Sequence, residues 1–166
     1  LKKKKNIKQD NIMADLNETF IEFNGVIALS TPKKDELRKS RNAIRKDIET
    51  YFEKNRDKHT VKFKGQGSFS MNTTILPDSG EYDVDDGVYI FGESEDRPSV
   101  QTAHDWIYDA VKDRTDQETL DKKTCIRVQY AAQYHVDLPI YYKTKKGKES
   151  TIDTEIPLLA HKTKGW

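Results

Sequence analysis

Ile12, Leu16, Phe20, Phe23 and Ile27 recur every three or four positions, the spacing that lines one face of an amphipathic helix, with Asn24-Gly25 as a place where it can break. A second helix is predicted to start with Thr31 as its cap and Pro32 in its first turn. Leu37, Ile44, Ile48, Tyr51 and Phe52 form its apolar stripe among lysines, arginines and glutamates. At His59 the period changes to two: Val61 and Phe63 alternate with Lys62 and Lys64 in a short strand that runs into Gly65-Gln66-Gly67-Ser68. A strand over Tyr82 to Phe91 follows a Pro77-Asp78-Ser79-Gly80 loop. After Arg97-Pro98, Val100, Ala103, Ile107, Ala110 and Val111 describe another helix. Thr124 to Tyr130 and Tyr134 to Tyr142 read as a hairpin, and Lys145-Lys146-Gly147-Lys148 turns into a last short strand near Thr151 to Ile156.

This order predicts an α+β fold, a mixed or antiparallel sheet with helices packed on it. Residues 1–58 supply N-terminal helices that pack on a sheet-bearing core over residues 59–166. A chain of 166 residues is long enough to bury one sizeable core, and two complete domains are not expected. Charge adds little: 29 Lys and Arg against 28 Asp and Glu leave a net charge of +1, so any charge logic is local. The single Cys125 excludes an intramolecular disulfide and a cysteine-based zinc site, and reads as a small buried residue. No segment approaches the roughly 18 apolar residues that span a bilayer, and Lys2 to Lys5 lacks a following apolar stretch, so the sequence predicts a cytoplasmic protein with no membrane partner. Asn17-Glu-Thr and Asn72-Thr-Thr match glycosylation acceptors, a pattern without meaning unless the chain is secreted.

The chemistry concentrates in carboxylates. Asp83 and Asp85 lie two apart on a predicted strand, so both leave the same face of the sheet and can share a metal. Magnesium takes hard oxygen ligands and completes its octahedron with water and phosphate, which suits such a pair. Asp137, between Val136 and Leu138 in another predicted strand, is a costly place for a charge unless a metal or a partner stabilises it. A solvated turn is the bland alternative for the Asp83 to Asp86 run, but Val88 to Phe91 continue it as an apolar strand. A calcium EF-hand is excluded, because Gly87 comes one place too early and Ser94 stands where a bidentate glutamate belongs. Gly67-Ser68 offers open backbone amides and a hydroxyl for a triphosphate, without the lysine of a Walker A loop. Arg127 shares a strand face with Cys125 and Gln129, a face that meets either phosphate or solvent, and His135 shares the face of Asp137 in what reads as a structural role.

Gly67-Ser68, then Asp83-Val-Asp85, then Asp137 on a separate strand resembles the signature of the polymerase-beta-like nucleotidyltransferases. More narrowly, GQGSFSMNTTILP, EYDVDDGVYI and YHVDLPIYY are similar to the bacterial CD-NTases, and Asp85-Asp86-Gly87 is most similar to the branch containing the cyclic GMP-AMP synthases. The resemblance implies that residues 59–166 are a catalytic core in which Asp83 and Asp85 hold two magnesium ions (manganese being an alternative) and Asp137 completes one site and helps activate the attacking hydroxyl. It also implies that Gly67 and Ser68 hold the donor phosphates, with Gln66 and Arg127 added as candidate nucleotide contacts. The implied product is a cyclic di- or oligonucleotide made from nucleoside triphosphates such as ATP and GTP in antiphage defence. That product would activate a separate effector protein, and a regulatory partner is possible within this scheme. Rival readings are an RNA- or DNA-directed nucleotidyltransferase and an inactive nucleotide-binding module. Members carry a further helical lobe after the catalytic sheet, so the resemblance also leads us to expect that this chain, ending at Trp166, is a fragment.

Overall fold

The computed structural model describes residues 16–78, 80–131, 134–144 and 156–166. Helix α1 (Asn17–Ile27) leads to helix α2 (Thr31–Asn55) and strand β1 (Thr60–Gln66), which passes into the single-turn helix α3 (Gly67–Ser70). Strand β2 (Tyr82–Gly92), helix α4 (Val100–Val111), and strands β3 (Leu120–Asp121), β4 (Cys125–Tyr130), β5 (Tyr134–Thr144) and β6 (Leu158–Leu159) follow. The strands form one mixed sheet in the order β1-β2-β5-β4-β3, with β6 pairing β5 at Tyr141 and Tyr142, past the point where β4 has ended.

Among the described strands only β2 and β5 run parallel, with Asp85 opposite Asp137 and Asp83 opposite His135. Alternation then divides each strand. Val84, Val88 and Ile90 of β2, Val136, Leu138 and Ile140 of β5, and Ile126 and Val128 of β4 are buried against the helices. Leu37, Ile44, Ile48 and Phe52 of α2 and Ala103, Ile107 and Val111 of α4 supply the opposing layer. Burying each larger aliphatic side chain contributes roughly 1.5–3 kcal/mol, and these stripes hold both helices on one side of the sheet. The other side carries Asp83, Asp85, His135 and Asp137.

The residues before α2 and α4 explain where those helices begin. Ser99 caps α4 by accepting a hydrogen bond from the Thr102 amide at 3.0 Å. The residue before α2 is Ser30, extended and with no side-chain cap, so Thr31 is the first helical residue rather than the cap, and Pro32 sits in the first turn as its fixed φ favours. Helix α1 runs through Asn24-Gly25 without a break and ends at Ala28, which bridges to Ile75. Its apolar residues stay outside: Phe20, Ile21, Phe23 and Val26 are exposed, as is Leu16 just before it, and none of its residues is buried. Packing on the core is therefore carried by α2. The first turns of the predicted α1, the Lys145–Lys148 turn and the strand near Thr151 to Ile156 fall outside the described residues, apart from Ile156 itself, which precedes β6 as an exposed, non-strand residue.

The third aspartate of the run has a structural task. Asp86 points into the core side at 0% exposure and accepts two hydrogen bonds from Arg45 of α2, Nε to Oδ2 at 2.6 Å and Nη2 to Oδ1 at 2.5 Å. This bidentate pair fixes α2 on β2 directly behind the carboxylate face.

Candidate functional site

Strand alternation and the parallel β2–β5 register bring Asp83, Asp85 and Asp137 to one face. Among the described residues, Asp83, His135 and Asp137 each offer a ligand atom, and these atoms all lie within 4.8 Å of one another. Asp83 is the exposed member, while Asp137 is largely covered, and His135 Nε2 stands 3.8 Å from Asp83 Oδ2. Asp85 lies at the β1 side of this group, opposite Gln66, with its carboxylate turned towards Gly67.

The electrostatics mark a site short of positive charge. Burial first, then the negative charges of Asp83 and Asp137, hold the Asp85 carboxyl above its ordinary pKa, with Arg127 opposing. Burial and the nearby Arg127 guanidinium lower the pKa of His135, keeping its ring neutral at pH 7, and its enclosed Nε2 has no hydrogen-bond partner. Repelling carboxylates beside a neutral, unpartnered imidazole nitrogen are a donor set that fits a divalent cation, with hard oxygens from Asp83, Asp85 and Asp137 suiting magnesium or manganese.

Gly67 explains the glycine before the serine. Its φ of +63° is left-handed, and a Cβ placed there would come within 2.1 Å of Asp85 Oδ2, so a larger residue would displace the carboxylate. Ser68 follows in α3, its hydroxyl 3.2 Å from Thr74 Oγ1 and its carbonyl accepting from the Thr73 amide at 2.8 Å. The backbone therefore brings Gly67 against Asp85, with Ser68 the next residue of α3.

Two expected nucleotide contacts have other partners. The Gln66 amide donates to Tyr89 Oη at 3.1 Å and accepts from Tyr141 Oη at 3.2 Å, bracing a stacked tyrosine pair whose rings are 4.7 Å apart. Gly87 leaves room for this amide, since a Cβ there would meet Gln66 Nε2 at 2.5 Å. Arg127 grips Asp137, Nε to Oδ1 and Nη2 to Oδ2, both at 2.7 Å. The face of β4 thus meets the carboxylates. A concavity of about 220 Å³ opens beside His135 between Glu81, Gln117 and Tyr130, and a larger one of about 520 Å³ lies between α2 and α4; none of the three aspartates lines either.

Sequence reasoning read His135 as structural, and the structure sets its ring beside Asp83 and Asp137. Its signal was the alternation that puts it beside Asp137, and the cross-strand partner Asp83 became visible only with the parallel register. Cys125 is buried as expected, and burial with the charge of Asp137 pushes its thiol up to about 11. At pH 8 only about one molecule in a thousand carries the thiolate. Iodoacetamide is expected to leave the native chain unmodified on a timescale that fully alkylates the urea-unfolded chain, read by mass; equal rates would contradict this environment.

Residues 61–141 match the family described as "Cyclic GMP-AMP synthase DncV-like, nucleotidyltransferase domain". This match, together with the relatives that follow, supports a CD-NTase. A cyclic GMP-AMP synthase of Escherichia albertii is 31% identical over 114 residues, covering 64% of this chain and 24% of the relative. In fold, the chain is similar to the CD-NTase CdnG of Bradyrhizobium diazoefficiens, solved in complex with GTP, at a TM-score of 0.70 and 19% identity over 93% of this chain and 43% of that one. It is similar too to Vibrio cholerae DncV bound to the linear intermediate 5' pppA(3',5')pG, at a TM-score of 0.66 and 20% identity over 84% of this chain and 53% of that one. The chain spans about a quarter of that curated relative and about half of these solved chains.

Proposed function

We propose that this chain carries the catalytic face of a magnesium-dependent nucleotidyltransferase that joins nucleoside triphosphates into a cyclic di- or oligonucleotide. The observation that supports this reading most strongly is the meeting of Asp83, Asp85 and Asp137 on one sheet face, from two neighbouring parallel strands, beside Gly67 and Ser68. Divalent ions held by these carboxylates would neutralise charge on the attacking and leaving oxygens of an in-line displacement at the α-phosphate. In this scheme Asp137 would help take the proton of the attacking hydroxyl, and Gly67 lets the chain pass close to Asp85 so that the Ser68 hydroxyl and amide can orient donor phosphates. The GTP in the CdnG complex and the linear intermediate in the DncV complex make purine triphosphates the first substrates to test. A cyclic product would serve as a diffusible signal to a separate effector, in the manner of antiphage defence.

Full-length protein incubated with radiolabelled ATP, GTP, CTP and UTP and magnesium should yield a phosphatase-resistant product whose mass is that of a cyclic nucleotide. Linear extension of an added RNA or DNA primer, with no cyclic species, would instead establish a template- or primer-directed enzyme and sink this reading.

A further inference from the structure

Arg127 of β4 stands directly opposite Asp137 of β5, and both of its hydrogen bonds to that carboxylate are short and parallel, the fork geometry that makes arginine–carboxylate pairs strong. One guanidinium thus neutralises Asp137 within the carboxylate face.

We infer that Arg127 is an internal competitor for divalent metal: it hydrogen-bonds both oxygens of Asp137, so that a metal drawing on Asp137 competes with the guanidinium for that carboxylate's charge and loosens it, and the guanidinium then becomes available to phosphate oxygens at the same face. The inference rests on the two-metal reading above. A dication entering beside Arg127 meets like-charge repulsion and a carboxylate whose charge is already neutralised, and both effects weaken binding. Arg127 can leave without unfolding its strand, because its side chain is 23% exposed and its backbone is held between Leu120 of β3 and Asp137 of β5. Guanidinium binds phosphate with the same fork it offers a carboxylate, so a triphosphate arriving with metal gives Arg127 a new partner as it surrenders the old one. Arg127 is then a positioning residue in metal entry, and metal and nucleotide favour each other's binding through it.

The test uses the full chain without nucleotide and follows free Mn²⁺ by electron paramagnetic resonance. Arg127→Gln, which keeps one neutral donor group, is expected to bind Mn²⁺ roughly 10-fold or more tighter than wild type, the scale of one charge-assisted hydrogen-bond pair. Arg127→Lys, a point charge without the fork, should fall between them. In wild type, the Arg127 Nε–H resonance in ¹⁵N-edited NMR should shift and lose its protection from exchange as Mg²⁺ saturates the protein, a readout that needs no variant to fold. Equal or weaker Mn²⁺ binding in Arg127→Gln, or an Nε–H resonance unmoved at saturating Mg²⁺, overturns the inference while leaving the metal site standing. No Mn²⁺ binding in any of the three proteins overturns the metal reading and the inference with it.

Discussion

Arg45→Met is expected to lower the stability of the chain by about 3–5 kcal/mol, because it strands the carboxylate of Asp86, which is 0% exposed, in the core without its counter-charge. For a chain of this size that corresponds to a fall of roughly 6–20 °C in the thermal midpoint, measurable by scanning calorimetry. The effect should be far larger than for Arg38→Met, whose pair with Asp35 joins two exposed side chains one helical turn apart. Replacing both partners, Arg45→Met with Asp86→Leu, should recover much of the loss, since the greater cost lies in leaving one charge unpaired. A midpoint for Arg45→Met within about 2 °C of wild type would show that water or another group takes over Asp86.

Asp85→Asn, one residue earlier, should do the reverse to the fold and far worse to the chemistry. It removes a ligand from the proposed metal site, and a loss of several kcal/mol of charge stabilisation in the transition state corresponds to a fall of at least ~10³ in turnover by the full-length protein. The fold should gain. The Asp85 carboxyl titrates above its ordinary value because of burial and its acidic neighbours, so the native state binds a proton more readily than the unfolded chain does. Wild type therefore loses stability as pH rises from below the unfolded-state carboxyl pKa through the raised native value, and the deficit persists at neutral pH without metal. Asp85→Asn lacks this group, so its thermal midpoint in EDTA at pH 7 should exceed that of wild type, and the gap should close on acidification. A lower midpoint at pH 7, or turnover within tenfold of wild type, would contradict the assignment of Asp85.

Much of this was legible in the chain because the period of two does double duty on β2. Val84, Val88 and Ile90 announce the buried face, and the same alternation places Asp83 and Asp85 together on the other. Helices α2 and α4 were legible for a similar reason, their apolar residues falling three, four or seven apart. Alternation also pairs Arg127 with the Cys125 and Gln129 face but is silent on which strand lies alongside. The grip on Asp137 depends on the hairpin register, and the approach of His135 to Asp83 on a parallel pairing between segments far apart in sequence. The inward turn of Asp86 follows from strict alternation, yet its partner Arg45 sits on a helix whose charged residues read as a solvated face. Helix α1 shows the converse: its periodicity predicted a helix, and amphipathicity alone did not place its apolar face against this core.

The parallel pairing of β2 with β5 has a consequence for how the chain reaches its native state. Arg127 and Asp137 are only ten residues apart and meet inside one hairpin, whereas Asp83 and Asp85 join them only when β2 closes a long loop over α4 and β3. Hairpins form in microseconds and long-range parallel pairs much later. The hairpin thus carries Asp137 already neutralised to the strand that bears the other two acids, and the guanidinium spares the docking sheet the repulsion of three bare carboxylates. In Arg127→Gln that repulsion would act during assembly, so the arm of the chevron for folding should steepen in its dependence on ionic strength, with salt standing in for the missing cation.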